Sequence, residues 1–330
     1  MLGKGHKVTS QASRGDQMMH CPNLSDLPSP PRGRKGWPWT EETAPLPDTM
    51  SDGQPWPRVT IVTPSYNQAQ FVEEAIRSVL LQGYPNLEYT VIDGGSTDGS
   101  VEIIKKYEKW LTYWVSEPDR GQSHAINKGF EKASGVIYGW LNSDDYLLKD
   151  ALKSVARAYL ASPESGAWCG SSLYVDVNGK KTGVREPPPR LDAETIAAWN
   201  ENSFAQPATF FSRRAWQQCA PLDENLQYGM DLDLWIRIAQ KFAFERLGEV
   251  LATERLHKDC KTEKDMGMMY AVQCQIQIRH GYERLAMEDI RQWMNEYTAI
   301  RGKLDRISRL PVVRLFRPIA LIVWRKLQAN

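Results

Sequence analysis

Cysteine is sparse in this chain and never closely paired. Cys21, Cys169, Cys219, Cys260 and Cys274 are scattered without a C-x-x-C pair, so neither a disulfide framework nor a zinc site is indicated and a reducing cytosol is expected. An excess of one charge is also missing: 41 basic residues stand against 40 acidic ones, which gives no global reason to expect nucleic acid as a partner. Behind His6, Lys7, Arg14 and Asp16 there is no apolar segment of the secretory kind. The longest purely apolar stretch near the other end, Ile319 to Trp324, is far shorter than the ~20 residues of a membrane helix. These absences predict a soluble or at most peripheral protein. No G-x-G-x-x-G follows the first strand, which removes the main support for hydride transfer. Gly94 and Gly99 have phosphate-loop spacing, but Ser100 and Val101 replace the required Lys and Ser/Thr. No internal repeat is present.

The length of 330 residues suits one large α/β domain with appendages. Residues 1–57 are rich in Pro, Gly, Ser and charge and read as a flexible or draped leader, which Trp37, Trp39 and Trp56 could dock in part. From Val59 the pattern changes. VTIVTPSY is an apolar, β-branched run, followed by Phe71, Ala75, Ile76, Val79 and Leu80 on one helical face. Strands at 89–93, 111–116 and 136–141 then alternate with helices near 100–109, 122–133 and 150–161, which implies right-handed crossovers and a mostly parallel sheet covered on both faces. A hairpin around Asn178-Gly179 predicts mixed pairing later. After Arg255 the pattern is helical, near 266–280, 284–307 and 312–328. The expected organisation is a leader (1–57), a catalytic domain (58–262, divided at 146/147 into donor and acceptor halves) and a helical extension (263–330).

In an open α/β sheet, ligands gather beyond the carboxyl ends of the strands. Polar clusters lie at four such predicted ends: Pro64 to Asn67, Asp93 to Gly99, Glu117 to Gly121, and Asn142 to Asp145. The last is the sharpest, because the apolar run ending in Trp140-Leu141 meets two adjacent carboxylates, Asp144 and Asp145. Unpaired burial of carboxylates costs several kcal/mol or more, so they need a cation or solvent. A hard divalent ion seated there can grip a diphosphate. The plainer reading is an Asx-capped helix start.

Together, PSYNQAQFVEEAIRSVLLQGYPNLEYTVIDGGSTDGS, EPDRGQSHAINKG and LNSDD resemble the nucleotide-sugar half of family 2 inverting glycosyltransferases with a GT-A fold, over roughly residues 57–260. The resemblance implies nucleotide-sugar contacts at Pro64, Ser65, Tyr66, Asp93, Ser96, Asn142 and Ser143, with Arg120 and Gln122 lining the donor sugar. The family's D-x-D motif falls on Asn142-Ser143-Asp144. It implies Mg²⁺ or Mn²⁺ on Asp144, with Asp145 and His257 in support and Lys261 on phosphate. GMDLDLWIR is similar to the acceptor-side E-D-x-D-L-W-x-R segment, with Asp231 at the base position and Met230 in place of Glu. Gln206, Asp233 and Trp235 are then expected on the acceptor side.

The activity implied is inverting transfer from a UDP-, GDP- or dTDP-linked sugar to a sugar or lipid-linked glycan hydroxyl, as in bacterial surface polysaccharide assembly. Two alternatives stand beside it: nucleotidyl transfer, which would consume a nucleoside triphosphate, and a non-catalytic nucleotide-sugar-binding scaffold, which Asn142 and Met230 encourage. Eight basic residues against Asp305 over 301–330 suit peripheral contact with the inner face of the cytoplasmic membrane. An ordinary helix packed on the domain or on a second subunit, as in a homodimer, would carry the same pattern.

Overall fold

The computed structural model describes residues 8–10, 21–257, 260 and 266–308. Its strands are β1 (Val8–Ser10), β2 (Val59–Ser65), β3 (Leu87–Asp93), β4 (Tyr113–Ser116), β5 (Ile137–Trp140), β6 (Ala167–Val175), β7 (Lys181–Arg185), β8 (Thr209–Ser212) and β9 (Phe244–Arg255). They form one sheet in the order β1-β4-β3-β2-β5-β8-β6-β7, with β9 on β6. The run β4-β3-β2-β5 is parallel, while β8 is antiparallel to both neighbours and β6-β7 is the hairpin expected at Asn178-Gly179. The fold is thus the expected α/β architecture, parallel in its first half and mixed in its second.

Helices α1 (Val72–Leu80), α2 (Ser100–Tyr107), α3 (Gln122–Phe130) and α4 (Ala151–Ala161) follow β2 to β5 in turn. Strand residues alternate between two apolar layers: Ile61 and Val91 face the layer of Val79 and Ile104, whereas Val62 and Ile92 face that of Ile126 and Phe130. This alternation is why the strands read as continuous apolar runs. Helices α5 (Ala193–Ala197), α6 (Trp199–Asn202), α7 (Arg213–Cys219) and α8 (Met230–Ala239) accompany the mixed half of the sheet, and α9 (Met266–Arg279) and α10 (Glu283–Ser308) follow β9.

The described part of the leader, 21–57, is draped on the domain rather than free. Arg77 of α1 is fully buried and donates to the carbonyls of Pro28, Pro38 and Trp39 at 2.8–3.1 Å. Trp39 donates its indole N–H to Glu74, and Trp37 to the Leu147 carbonyl. Glu73, Glu74 and Arg77 form what reads as the solvent face of an amphipathic helix, yet every residue of α1 is buried. The expected last helix, 312–328, lies outside the described residues.

Candidate active site

The parallel register brings the strand ends into line: Ser65 pairs with Asp93, and Asp93 with Ser116. At the tip of β2 the hydroxyl of Ser65 is buried with no hydrogen-bond partner among the described residues, beyond buried Pro64, and Tyr66 next to it is 63% exposed. Asp93, expected in nucleotide contact, is held within its own turn. Its carboxylate is fully buried and accepts from the Gly95 and Ser96 amides and from the hydroxyls of Ser96 and Ser116 at 2.6–3.1 Å. Three of these donors fall on Oδ2 and one on Oδ1, so Asp93 shapes the glycine turn. Ser96 belongs to the same turn, since its hydroxyl also accepts from the Asn67 amide.

After β5 the chain turns so that Asp144 and Asp145 part company. The Asp144 carboxylate is one-fifth exposed and lies 3.1 Å from His257 Nε2, whose ring packs on Phe71. Asp145 turns inward and accepts from the Arg255 amide at 2.9 Å. Burial first, and then the neighbouring Asp144 charge, push the Asp145 carboxyl well above its usual range. Asp145 therefore serves the loop rather than standing beside Asp144 as a metal ligand. Among the described residues no group of three His, Cys, Asp or Glu side chains converges as a metal site. One carboxylate and one imidazole still fit a hard divalent ion that takes its remaining ligands from a diphosphate and water. Lys261 lies outside the described residues.

Arg255 organises this corner. Its fully buried guanidinium donates to the carbonyls of Asp144, Asp176 and Val177 and to Glu74 at 2.8 Å, against the rings of Phe71 and Tyr146. Beside it Glu254, bonded to Ser172 and Arg185, is held above the usual carboxylate range by burial, with Asp231 adding its negative charge. Glu254 likewise acts electrostatically on Asp145, and Asp231 stands in the first turn of α8.

Helix α3 is joined to the loop after β5. Gln122 donates to Asn142, Asn142 to Gln206, and Gln206 to the Trp140 carbonyl. Ser143 is buried beneath. The next residue of α3, Ser123, donates its hydroxyl to the Met230 sulfur at 2.8 Å, tying α3 to the turn that holds Asp231. Arg120, expected on the donor sugar, is largely exposed and ion-paired with Glu224 at 2.6 Å. Two acceptor-side expectations also need correcting. Trp235 is fully buried and stacks on Trp140 at 5.3 Å because α8 turns its apolar face to the sheet. Asp233, one helical turn from Arg237, is bound by that guanidinium at 2.8 Å and by His280 at 2.9 Å, which pins α8 to the extension.

Residues 60–218 match the family model described as glycosyl transferase family 2. A Bacillus subtilis glycosyltransferase, TuaG, whose name assigns it provisionally to teichuronic acid biosynthesis, is 38% identical over 205 residues, 61% of this chain and 79% of TuaG. The chain belongs to glycosyl transferase family 2. Hyaluronan synthase of Pasteurella multocida is 26% identical over 64% of this chain, which spans only 22% of that relative's length. Two solved structures share the fold: S. aureus TarS 1-349 in complex with UDP-GlcNAc (TM-score 0.55, 19% identity, 67% of this chain and 66% of that one), and the mannosyltransferase PcManGT of Pyrobaculum calidifontis with GDP-Man and Mn²⁺ (TM-score 0.54, 19% identity, 84% and 86%).

Against the family 2 pattern, the sequence reading underrated Arg255 and missed Glu254. Their signal was the charge they bring to a strand that is otherwise apolar over Val250 to Ala252. Charges at a buried strand end need partners, and the partners here are about a hundred residues away.

Proposed function

We propose that this chain transfers a sugar from a nucleoside diphosphate donor to an acceptor hydroxyl, with inversion at the anomeric carbon. The observation that carries this reading is the 3.1 Å pairing of Asp144 with His257, with the start of α3 tied both to Asn142 in the same loop as Asp144 and to Met230, the neighbour of Asp231. The orphaned Ser65 hydroxyl beside exposed Tyr66 supports a nucleotide at the tip of β2. Bound by Asp144 and His257, Mg²⁺ or Mn²⁺ would offset the charge developing on the departing diphosphate. Asp231 takes the proton of the acceptor hydroxyl as that oxygen bonds to the anomeric carbon. The bond from that carbon to the diphosphate oxygen breaks, and its electron pair leaves on the nucleoside diphosphate. Direct displacement from the opposite face inverts the centre.

Likeness to TuaG favours an acceptor in bacterial surface polysaccharide or lipid-linked glycan synthesis, at the inner face of the cytoplasmic membrane. Among the described residues no helix is long and apolar enough to cross a membrane, so the contact would be peripheral. The test is a screen of UDP-, GDP- and dTDP-sugars with and without Mn²⁺, followed by Asp231→Asn. Metal-dependent turnover is expected, and Asp231→Asn should bind donor normally while transfer falls by at least ~10². Normal turnover in that variant refutes the base assignment.

A further inference from the structure

The three amides at the end of β5 form a chain with a fixed direction. Gln206 Nε2 donates to the Trp140 carbonyl at 2.8 Å, Asn142 Nδ2 to Gln206 Oε1 at 3.1 Å, and Gln122 Nε2 to Asn142 Oδ1 at 2.7 Å. A main-chain carbonyl can only accept, so Gln206 must turn its nitrogen toward Trp140. That leaves the Gln206 oxygen facing position 142, which must therefore donate. The remaining oxygen of residue 142 then calls for a donor, and Gln122 supplies it. Polarity thus runs from the sheet backbone to the first residue of α3. A side chain at 142 must both donate and accept; an aspartate there only accepts and sets its carboxylate against the Gln206 oxygen. Gln206 is 9% exposed, so water is poorly placed to repair a broken junction.

We infer that Asn142 is a positioning residue: its amide transmits the orientation of β5 to Gln122 and leaves the Gln122 side-chain oxygen to accept from a hydroxyl of the donor sugar. This explains on physical grounds why the first place of the D-x-D position is an amide here, and it rests on the proposed transfer reading. The chain also joins three separate segments, the start of α3, the loop after β5 and the turn Gln206–Ala208.

Kinetics with UDP-GlcNAc and GDP-Man in Mn²⁺ test this, alongside calorimetry with the same sugars and with UDP and GDP alone. Asn142→Asp restores the D-x-D form yet should raise the donor KM about tenfold, the weight of one such hydrogen bond, with kcat less affected and the thermal midpoint lowered by a few degrees. Gln206→Glu breaks the junction with Trp140 and should give the same split. If it does not fold, Gln122→Ala must show it, weakening binding of the nucleotide sugar while leaving that of UDP or GDP unchanged. Wild-type KM in Asn142→Asp, or equal loss of sugar-bearing and sugar-free nucleotides in Gln122→Ala, overturns the inference while transfer stands. A wild-type chain that binds nucleotide sugars without turning them over ends the transfer reading alone, and calorimetry on the variants then decides this one. A chain that binds none overturns both.

Discussion

Replacing Arg77 by methionine should detach the leader and destabilise the domain. The guanidinium is fully buried, gives one hydrogen bond each to the carbonyls of Pro28, Pro38 and Trp39, donates also to Tyr107, and lies 5.5 Å from the Trp39 ring. Methionine keeps much of the apolar stem but strands three carbonyls that face no other donor from α1. Leaving a buried carbonyl unsatisfied costs about 1–3 kcal/mol, so the three together cost roughly 3–5 kcal/mol after partial relaxation. At roughly 2–4 °C per kcal/mol for a domain of this size, the thermal midpoint should fall by about 10 °C. The loss should be local as well as global: amide exchange and proteolysis over residues 28–46 should accelerate more than over β2 or β5, because Thr43 and Leu46 are held to the turn after α1, at Leu81 and Gly83, by single backbone bonds. Lysine at 77 can serve only part of this set and should fall between. A methionine variant melting within ~2 °C of wild type, with its leader still protected, would show that Arg77 does not hold this segment.

Other perturbations follow from the packing. A Cβ at Gly129 would sit 2.4 Å from a Val62 methyl, so Gly129→Ala should cost about 1–3 kcal/mol by overpacking α3 on β2. Val62→Ala should recover part of that cost in a double-mutant cycle read by urea denaturation. Burial alone would raise the Asp233 carboxyl, but His280 and Arg237 outweigh it and hold the group below its ordinary value. A depressed folded value means the stabilisation is present above the unfolded pKa and is lost as pH falls through the folded one. Asp233→Asn should therefore lower stability near neutrality and flatten the acid limb of the urea midpoint against pH. An acid limb parallel to wild type would exclude Asp233 as its source.

Much of the fold was legible because its causes are local. The switch to β-branched runs at Val59, the helical spacing from Phe71 to Leu80 and the turn at Asn178-Gly179 each act within a few residues, and β2, α1 and the β6-β7 hairpin stand where they predict. The alignment of the polar strand ends was legible too, since a parallel sheet brings every strand's carboxyl end to one edge. The roles of the residues at those ends were less legible. Asp93 and Asp145 look like ligands in the chain, but their carboxylates are engaged by Ser116 and by the Arg255 amide, respectively. Trp235 and Asp233 carry a motif's spelling while α8 turns one to Trp140 and the other to His280.

What the order of residues determined alone was the alternation of strand and helix, the edge where polar ends collect, and the amide at 142 instead of a carboxylate. Tertiary structure decided which of those polar groups remain available. His257 meets Asp144, Arg255 caps the loop of Asp145, and Gln206 sets the polarity of Asn142. Hydrogen-bond capacity is limited at each atom and is filled by whichever partner folding brings within about 3 Å. Periodicity along the chain reports which face of an element is buried, but not which distant atom will lie against it.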